Sequence, residues 1–151
     1  MIGDFFEFEA DFVNALRCIP MLVRYKLDTC GIKLKLSDWN QMTLSERAIL
    51  VELPCSTAAE IKFYQEYLQK FILDHTGIPA TRLPIDPIPP WMDVTTVPPT
   101  ILEKAQAIGL TITLHQWLGL TPLQRFALIK LSLSGHENKN FPRALTEFNL
   151  I

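Results

Sequence analysis

Two stretches of this chain, residues 19–56 and 97–134, match each other without a gap at an offset of 78 residues. One copy is too short to bury a core of its own, so the match predicts two similar units that pack face to face, with a chance match as the alternative. Ten of the 38 aligned positions are identical, and these pairs are Pro20/Pro98, Lys26/Lys104, Gly31/Gly109, Leu36/Leu114, Trp39/Trp117, Thr43/Thr121, Arg47/Arg125, Leu50/Leu128, Leu53/Leu131 and Ser56/Ser134.

Each copy shows the same order of structural signals. A proline precedes a helix of about ten residues, where its fixed φ suits the first turn, and a glycine follows where a left-handed residue ends a helix. The alternating segments 32–36 and 110–114 then predict short strands with one buried face. A turn carries the tryptophan, and a capping box, Thr-x-x-Glu or Thr-x-x-Gln, begins a second helix. The predicted unit is therefore helix–short extended segment–helix.

Prolines separate the two copies. Seven of the eleven prolines lie between residues 79 and 99. Proline lacks a backbone donor and disfavours helix in the residue before it. Residues 78–98 are therefore predicted to be an extended, partly polyproline-like connector. Ahead of it, Ser56 as N-cap and Gly77 as C′ residue bound the longest predicted helix, 57–75.

These signals predict a mostly α-helical fold with, at most, a minor two-stranded β pairing. At 151 residues the chain has the length of a single domain, 1–151. The N-terminus is expected to be extended to about Phe8 and to form a short helix to about Cys18. The predicted helices lie near residues 20–30, 44–53, 57–75, 99–108, 122–132 and 142–149.

Composition excludes several classes of protein. A net charge of −2 without a basic patch argues against a nucleic-acid partner, because such proteins neutralise phosphates with a positive field. No run approaches the ~18 apolar residues of a membrane span, and no N-terminal targeting segment is recognisable. Three cysteines without a signal peptide fit a reducing compartment. We therefore expect a cytoplasmic protein with no membrane association.

No motif for catalysis or cofactor binding is present in the sequence. Gly-x-Gly-x-x-Gly, a phosphate-binding loop and Gly-x-Ser-x-Gly are missing. Cys18, Cys30 and Cys55 are widely spaced, and the three histidines are scattered, whereas a structural metal site needs clustered ligands. We therefore expect no catalytic residue, no cofactor and no metal, and we interpret the cysteines as buried structural thiols.

Two repeated or polar features allow more than one interpretation. Arg47 and Arg125 recur with the tryptophans, either as a pair of anion-binding residues or as structural residues that bind carbonyls near Trp39 and Trp117. The loop from Ser134 to Asn140 contains His136 and Glu137 and is either the edge of a site or a solvated connection.

The chain resembles the cyanobacterial nitrate-reductase-associated protein family over about residues 6–150. The strings that carry the resemblance are Phe8-Glu-Ala-Asp-Phe-Val, Leu16-Arg-Cys-Ile-Pro-Met, Lys26-Leu-Asp-Thr-Cys-Gly-Ile-Lys-Leu, Leu83-Pro-Ile-Asp-Pro, Pro90-Trp-Met, Leu120-Thr-Pro-Leu-Gln-Arg-Phe-Ala-Leu-Ile-Lys-Leu and His136-Glu-Asn.

The resemblance implies an accessory role for assimilatory nitrate reductase, because the family is typically encoded beside that enzyme and the genes for molybdopterin biosynthesis. It carries no catalytic residues over to this chain. Two hypotheses follow from it. The protein is a non-catalytic module that binds nitrate reductase and assists its assembly, cofactor insertion or activity; alternatively, it is a small enzyme or carrier that acts on the molybdopterin cofactor.

The predicted partner surface combines the connector and the polar loop. A stiff, proline-rich segment loses little entropy on binding, and tryptophan is enriched among interface hot spots. Trp91, Met92, His136 and Glu137 are therefore predicted to lie on or beside one docking face. The alternative is that Trp91 folds back as a lid on the helices.

Overall fold

Helices make up most of the described chain in a computed structural model, which describes residues 5–10, 16–133 and 139–151. The chain divides into two compact units, Met1–Asp86 and Pro87–Ile151. The first contains α1 (Met21–Cys30), α2 (Leu36–Gln41), α3 (Leu44–Glu52) and α4 (Ala58–Thr76). The second contains α5 (Pro99–Ala107), α6 (Leu114–Leu118), α7 (Pro122–Leu133) and α8 (Asn140–Glu147). One domain across residues 1–151 stays a prediction.

The mostly helical fold is confirmed, and all six predicted helices are present with ends within about two residues of those expected. The capping boxes explain the accuracy at α3, because the Thr43 Oγ1 accepts from the Glu46 N–H at 3.1 Å and the Glu46 carboxylate accepts from the Thr43 N–H at 2.8 Å. The long helix α4 is capped by Thr57 rather than by Ser56. None of the described helices has both the length and the apolar character of a membrane span.

The prediction of short strands at 32–36 and 110–114 is wrong. Pairing in the first segment consists of one antiparallel bridge between Ile32 and Arg82, and Leu36 and Leu114 begin the short helices α2 and α6. The tryptophans therefore lie on helices rather than in turns. The missed signal is a further capping box: the Gln116 N–H donates to Thr113 Oγ1 at 3.1 Å, and Gln116 Oε1 accepts from the Thr113 N–H at 2.9 Å.

The N-terminal prediction is also wrong in its details. Phe6 is extended, as expected, but Glu7–Glu9 forms a 3₁₀ turn, and residues 17 and 18 are not helical. The carboxylate of Glu9 is buried and accepts from the backbone N–H groups of Phe6 and Met21, both at 3.1 Å. It thereby satisfies a donor at the start of α1, where the N-cap residue is a proline that offers no side-chain acceptor. The middle of the predicted helix, residues 11–15, lies outside the described residues.

Each unit has its own apolar core. In the first unit, α1 packs on α3 and α4, and its fully buried side chains include Val23, Ile32, Trp39, Leu50, Tyr64 and Leu68. In the second, α7 packs on α5, on α8 and on the turn Pro90–Met92, with Ile101, Trp117, Phe126, Leu128, Phe141 and Leu145 buried.

Matching positions of the two sequence copies occupy the same kinds of element. The order α1–α2–α3 recurs as α5–α6–α7. Lys26 Nζ donates to the Leu53 carbonyl at 2.6 Å, and Lys104 Nζ donates to the Leu131 carbonyl at 3.2 Å. The two lysines thus bind backbone carbonyls at the ends of α3 and α7. Superposition of 19–56 on 97–134 stays a prediction.

The glycines that end α1 and precede Leu110 give a matched test of local geometry. Gly31 and Gly109 both have left-handed φ, 73° and 78°. A Cβ at Gly31 would lie 2.8 Å from the Leu83 carbonyl oxygen, whereas a Cβ at Gly109 would meet no atom within 4 Å. We expect Gly109→Ala to lower the free energy of unfolding by about 1 kcal/mol and Gly31→Ala to lower it by more, as measured by urea denaturation. Equal losses would contradict the close approach.

Candidate docking segment

The last part of the connector, residues 87–97, has a backbone that is fixed within the second unit. Pro89 precedes a 3₁₀ turn, Pro90–Met92, in which the Met92 N–H donates to the Pro89 carbonyl at 2.8 Å. Proline at the first position of the turn supplies the φ that the turn needs and gives up no bonded N–H. The Asp93 carboxylate then accepts from the Thr95 N–H at 2.8 Å. The Thr95 hydroxyl also bonds this carboxylate, and the two bonds lower the pKa of Asp93.

Two buried side chains anchor this backbone. Arg125, which is 7% exposed, donates from Nη1 to the Trp91 carbonyl at 3.2 Å. The same guanidinium donates from Nε to the Trp117 carbonyl at 3.1 Å and from Nη2 to the Leu118 carbonyl at 3.2 Å. Trp117 donates from Nε1 to the Asp93 carbonyl at 3.0 Å. The connector is therefore held to α6 and α7 through two of its own carbonyl groups.

The first unit uses the equivalent arginine in the same way. Arg47 donates from Nε to the Trp39 carbonyl at 3.0 Å and from Nη1 to the Leu16 carbonyl at 3.1 Å. Trp39 Nε1 donates to that same Leu16 carbonyl at 2.8 Å. Leu16 has a left-handed φ of 54°. Of the two interpretations of the arginines, the structural one is confirmed, because both bind backbone carbonyls beside the tryptophans.

Side chains of the segment differ in exposure. Trp91 is partly buried, and its ring meets Phe126 edge to face, with centroids 5.1 Å apart and planes at 86°. Ile88, Met92 and Val94 are 72%, 49% and 48% exposed. Trp91 therefore covers part of α7, while three apolar side chains near it in the sequence are exposed to solvent.

The predicted site residues are only partly placed by the structure. Trp91 and Met92 share one 3₁₀ turn, whereas His136 and Glu137 lie outside the described residues, so their proximity to this turn stays a prediction. Sequence reasoning missed Val94, although it stands in the same proline-rich apolar stretch. We define the docking segment as Ile88, Trp91, Met92 and Val94.

Cys30 and Cys55 are buried, as expected, whereas Cys18 is partly exposed. The two buried thiols offer no activated nucleophile. Burial, with a smaller effect of nearby Cys55, raises the pKa of Cys30 from 9.0 to about 12. Burial likewise raises the pKa of Cys55 from 9.0 to about 11, against the opposing charge of Lys26. Such thiols stay protonated at neutral pH, and the thiolate is the reactive form. Within residues 5–10, 16–133 and 139–151, no three His, Cys, Asp or Glu side chains form a group that would hold a metal ion.

Comparison with protein families gives a match that includes residues of both units. The sequence model of the conserved nitrate reductase-associated proteins matches residues 5–148. The chain belongs to this family. No curated protein and no solved structure matches the chain.

In this member of the nitrate reductase-associated family, the Arg125 bonds give a direct test of how the docking segment is held. Arg125→Lys removes the fork that serves three carbonyls and leaves buried acceptors unpaired, so we expect a loss of about 2 kcal/mol in the free energy of unfolding. Arg47→Lys is the matched comparison, and it should lose less because Arg47 is partly exposed and water can replace its bonds. Chemical denaturation measures both. A smaller loss at Arg125 than at Arg47 would contradict this assignment.

The raised thiol pKa values predict how stability depends on pH. Between about pH 9 and pH 11 the unfolded chain releases thiol protons that the folded chain keeps, so stability should fall as pH rises, by at most about 1.4 kcal/mol per pH unit for each thiol. Urea denaturation at several pH values measures this slope. Cys30→Ala should reduce it relative to the unsubstituted protein. An unchanged slope would show that other groups, such as the buried Tyr64, cause the decline.

Proposed function

We propose that this protein is a non-catalytic accessory protein that binds nitrate reductase through the docking segment and assists its assembly, cofactor insertion or activity. The family description supplies association with nitrate reductase. The observation that carries the proposal is the exposure of Ile88, Met92 and Val94 on a backbone that is already fixed.

Preorganisation favours this segment as a binding surface. Association normally costs about 0.5–1.5 kcal/mol for each side chain it immobilises, with a further cost for ordering loops. Here the loop is already ordered before binding by the bonds from Arg125 and Trp117. The prolines at 87, 89 and 90 restrict the chain further. A partner that covers the exposed side chains would gain apolar burial without first folding the loop.

The chemistry of the exposed side chains fits a protein partner. Methionine adapts its shape to irregular apolar surfaces, and Met92 is the last residue of the 3₁₀ turn, directly after Trp91. The partly buried Trp91 ring is braced by Phe126. A braced aromatic beside an adaptable methionine resembles the centre of many interfaces, where a few residues supply most of the affinity.

Alanine substitutions of the exposed side chains test the docking surface. We expect Ile88→Ala and Met92→Ala each to weaken binding to nitrate reductase about tenfold or more, with an unchanged melting temperature because neither side chain is buried. Ile108→Ala is the matched control: this isoleucine is 46% exposed on the same unit but lies outside the docking segment. Binding is measured by pull-down and by titration calorimetry against apo and cofactor-loaded nitrate reductase.

The outcomes separate the possible roles. Preference for apo nitrate reductase would support assembly or cofactor insertion, and equal binding to both forms would support a role in activity. Trp91→Ala should lower the melting temperature, because it removes the ring that packs on Phe126. Wild-type affinity in Ile88→Ala and Met92→Ala would contradict docking through this segment, whether or not Trp91→Ala loses affinity. Trp91 would then be a structural lid on the helices.

A further inference from the structure

A groove on the first unit lies between α4 and the residues that follow it. Its volume is about 430 Å³, and it is lined by Gln69, Lys70, Leu73, Pro79, Ala80 and Arg82. This volume falls in the range of small-molecule sites, about 300–1,000 Å³. All six residues belong to the first unit, whereas the docking segment belongs to the second.

Arg82 is fixed at one side of this groove. Its backbone lies in the bridge with Ile32, flanked by the bonds from the Lys33 N–H to the Thr81 carbonyl at 2.9 Å and from the Leu83 N–H to the Gly31 carbonyl at 2.8 Å. With the Gln69 amide turned so that its oxygen faces the guanidinium, that oxygen accepts from Arg82 Nη2 at 3.0 Å and Nε at 3.2 Å. The arginine is therefore oriented by a neutral group, and its positive charge is not neutralised by that group.

The lining carries two positive charges and no carboxylate. Lys70 follows Gln69 on α4, and within the described residues neither Lys70 nor Arg82 forms an ion pair. The carboxylate of Glu66, one turn before Lys70, lies instead 4.0 Å from Lys62 Nζ. Because the guanidinium keeps donors beyond the two that Gln69 uses, an oxyanion in the groove would meet an oriented Arg82 and the flexible ammonium of Lys70.

The remaining lining is apolar. Leu73 is 46% exposed, and Pro79 and Ala80 complete this part of the groove. A free inorganic anion would leave these side chains in water, whereas an anion attached to an apolar body would cover them. We propose that this groove binds a small amphipathic oxyanion, a phosphate ester or a carboxylate on an aromatic or aliphatic body, with Arg82 and Lys70 holding the anionic group.

The experiment is a two-dimensional ¹H–¹⁵N NMR titration of the full chain with four probes: phenyl phosphate, benzoate, inorganic phosphate and benzyl alcohol. We expect phenyl phosphate or benzoate to shift amide signals of residues 69–73 and 79–83, and to bind more tightly than inorganic phosphate or benzyl alcohol. The aromatic probe that binds with the higher affinity shows whether the groove prefers a phosphate or a carboxylate ligand. Binding should weaken at high salt, since both cations are exposed to solvent.

Matched variants test the assigned residues. Arg82→Gln should weaken binding of the stronger probe about tenfold, and Lys70→Gln should weaken it by less, because its flexible ammonium is not oriented by another group. Lys62→Gln, on the same helix but outside the groove, should bind as the unsubstituted protein does. Arg82→Lys keeps the positive charge and removes the planar fork. If Arg82→Gln lowers the melting temperature, Arg82→Lys serves as a second variant that tests whether binding needs the oriented guanidinium or only the charge.

Several results would overturn the proposal. Affinity unchanged in both Arg82→Gln and Arg82→Lys would show that Arg82 does not hold the anion. Shifts confined to residues outside 69–83 would place the probe elsewhere. Binding of a hexaglutamate peptide without binding of either aromatic probe would identify the groove as a contact for an acidic protein segment. None of these results depends on nitrate reductase binding, so the docking proposal is tested separately.

Discussion

In each unit, a guanidinium that binds backbone carbonyls connects the local helices to a distant part of the chain. Arg125 joins the C-terminal end of α6 to the connector, and Arg47 joins α2 to the N-terminal segment through Leu16. Arginine suits this role because its five donors are planar and permanently charged. Without it, several carbonyls near the buried tryptophans would lose their partners, which typically costs more than a simple hydrogen bond contributes.

The buried charged side chains also bind backbone groups, and these groups lie at the ends of helices. Glu9 accepts from amides at the start of α1, Lys26 donates to carbonyls at the end of α3, and Arg125 donates to carbonyls around α6. Helix ends supply these partners because their terminal N–H and C=O groups lack partners within the helix. Each charged side chain thereby specifies the position of a helix end. An apolar side chain at the same position would not specify it.

The two proposed surfaces use different physics. The docking segment presents apolar side chains on a backbone fixed by Arg125 and Trp117, which suits recognition of a protein surface by burial of apolar area. The groove presents two cations beside Leu73, Pro79 and Ala80, which suits a small ligand with an anionic end. Because each surface lies within one unit, substitutions in one should leave the other intact, and the two roles are separable by experiment.

The sequence determined the main helices, because prolines, glycines and capping boxes act within one or two turns of the chain. The alternating segments led to a wrong prediction of strands. The Asp38 carboxylate, which accepts from the Lys35 N–H, and the capping box of Thr113 and Gln116 favoured helix over a strand that had almost no partner. The exposure of Met92 beside the partly buried Trp91 was decided only by the tertiary structure, through the Arg125 and Phe126 contacts. The groove likewise required the approach of Arg82 to Gln69 and Ile32, a pairing between distant residues that no local pattern in the sequence encodes.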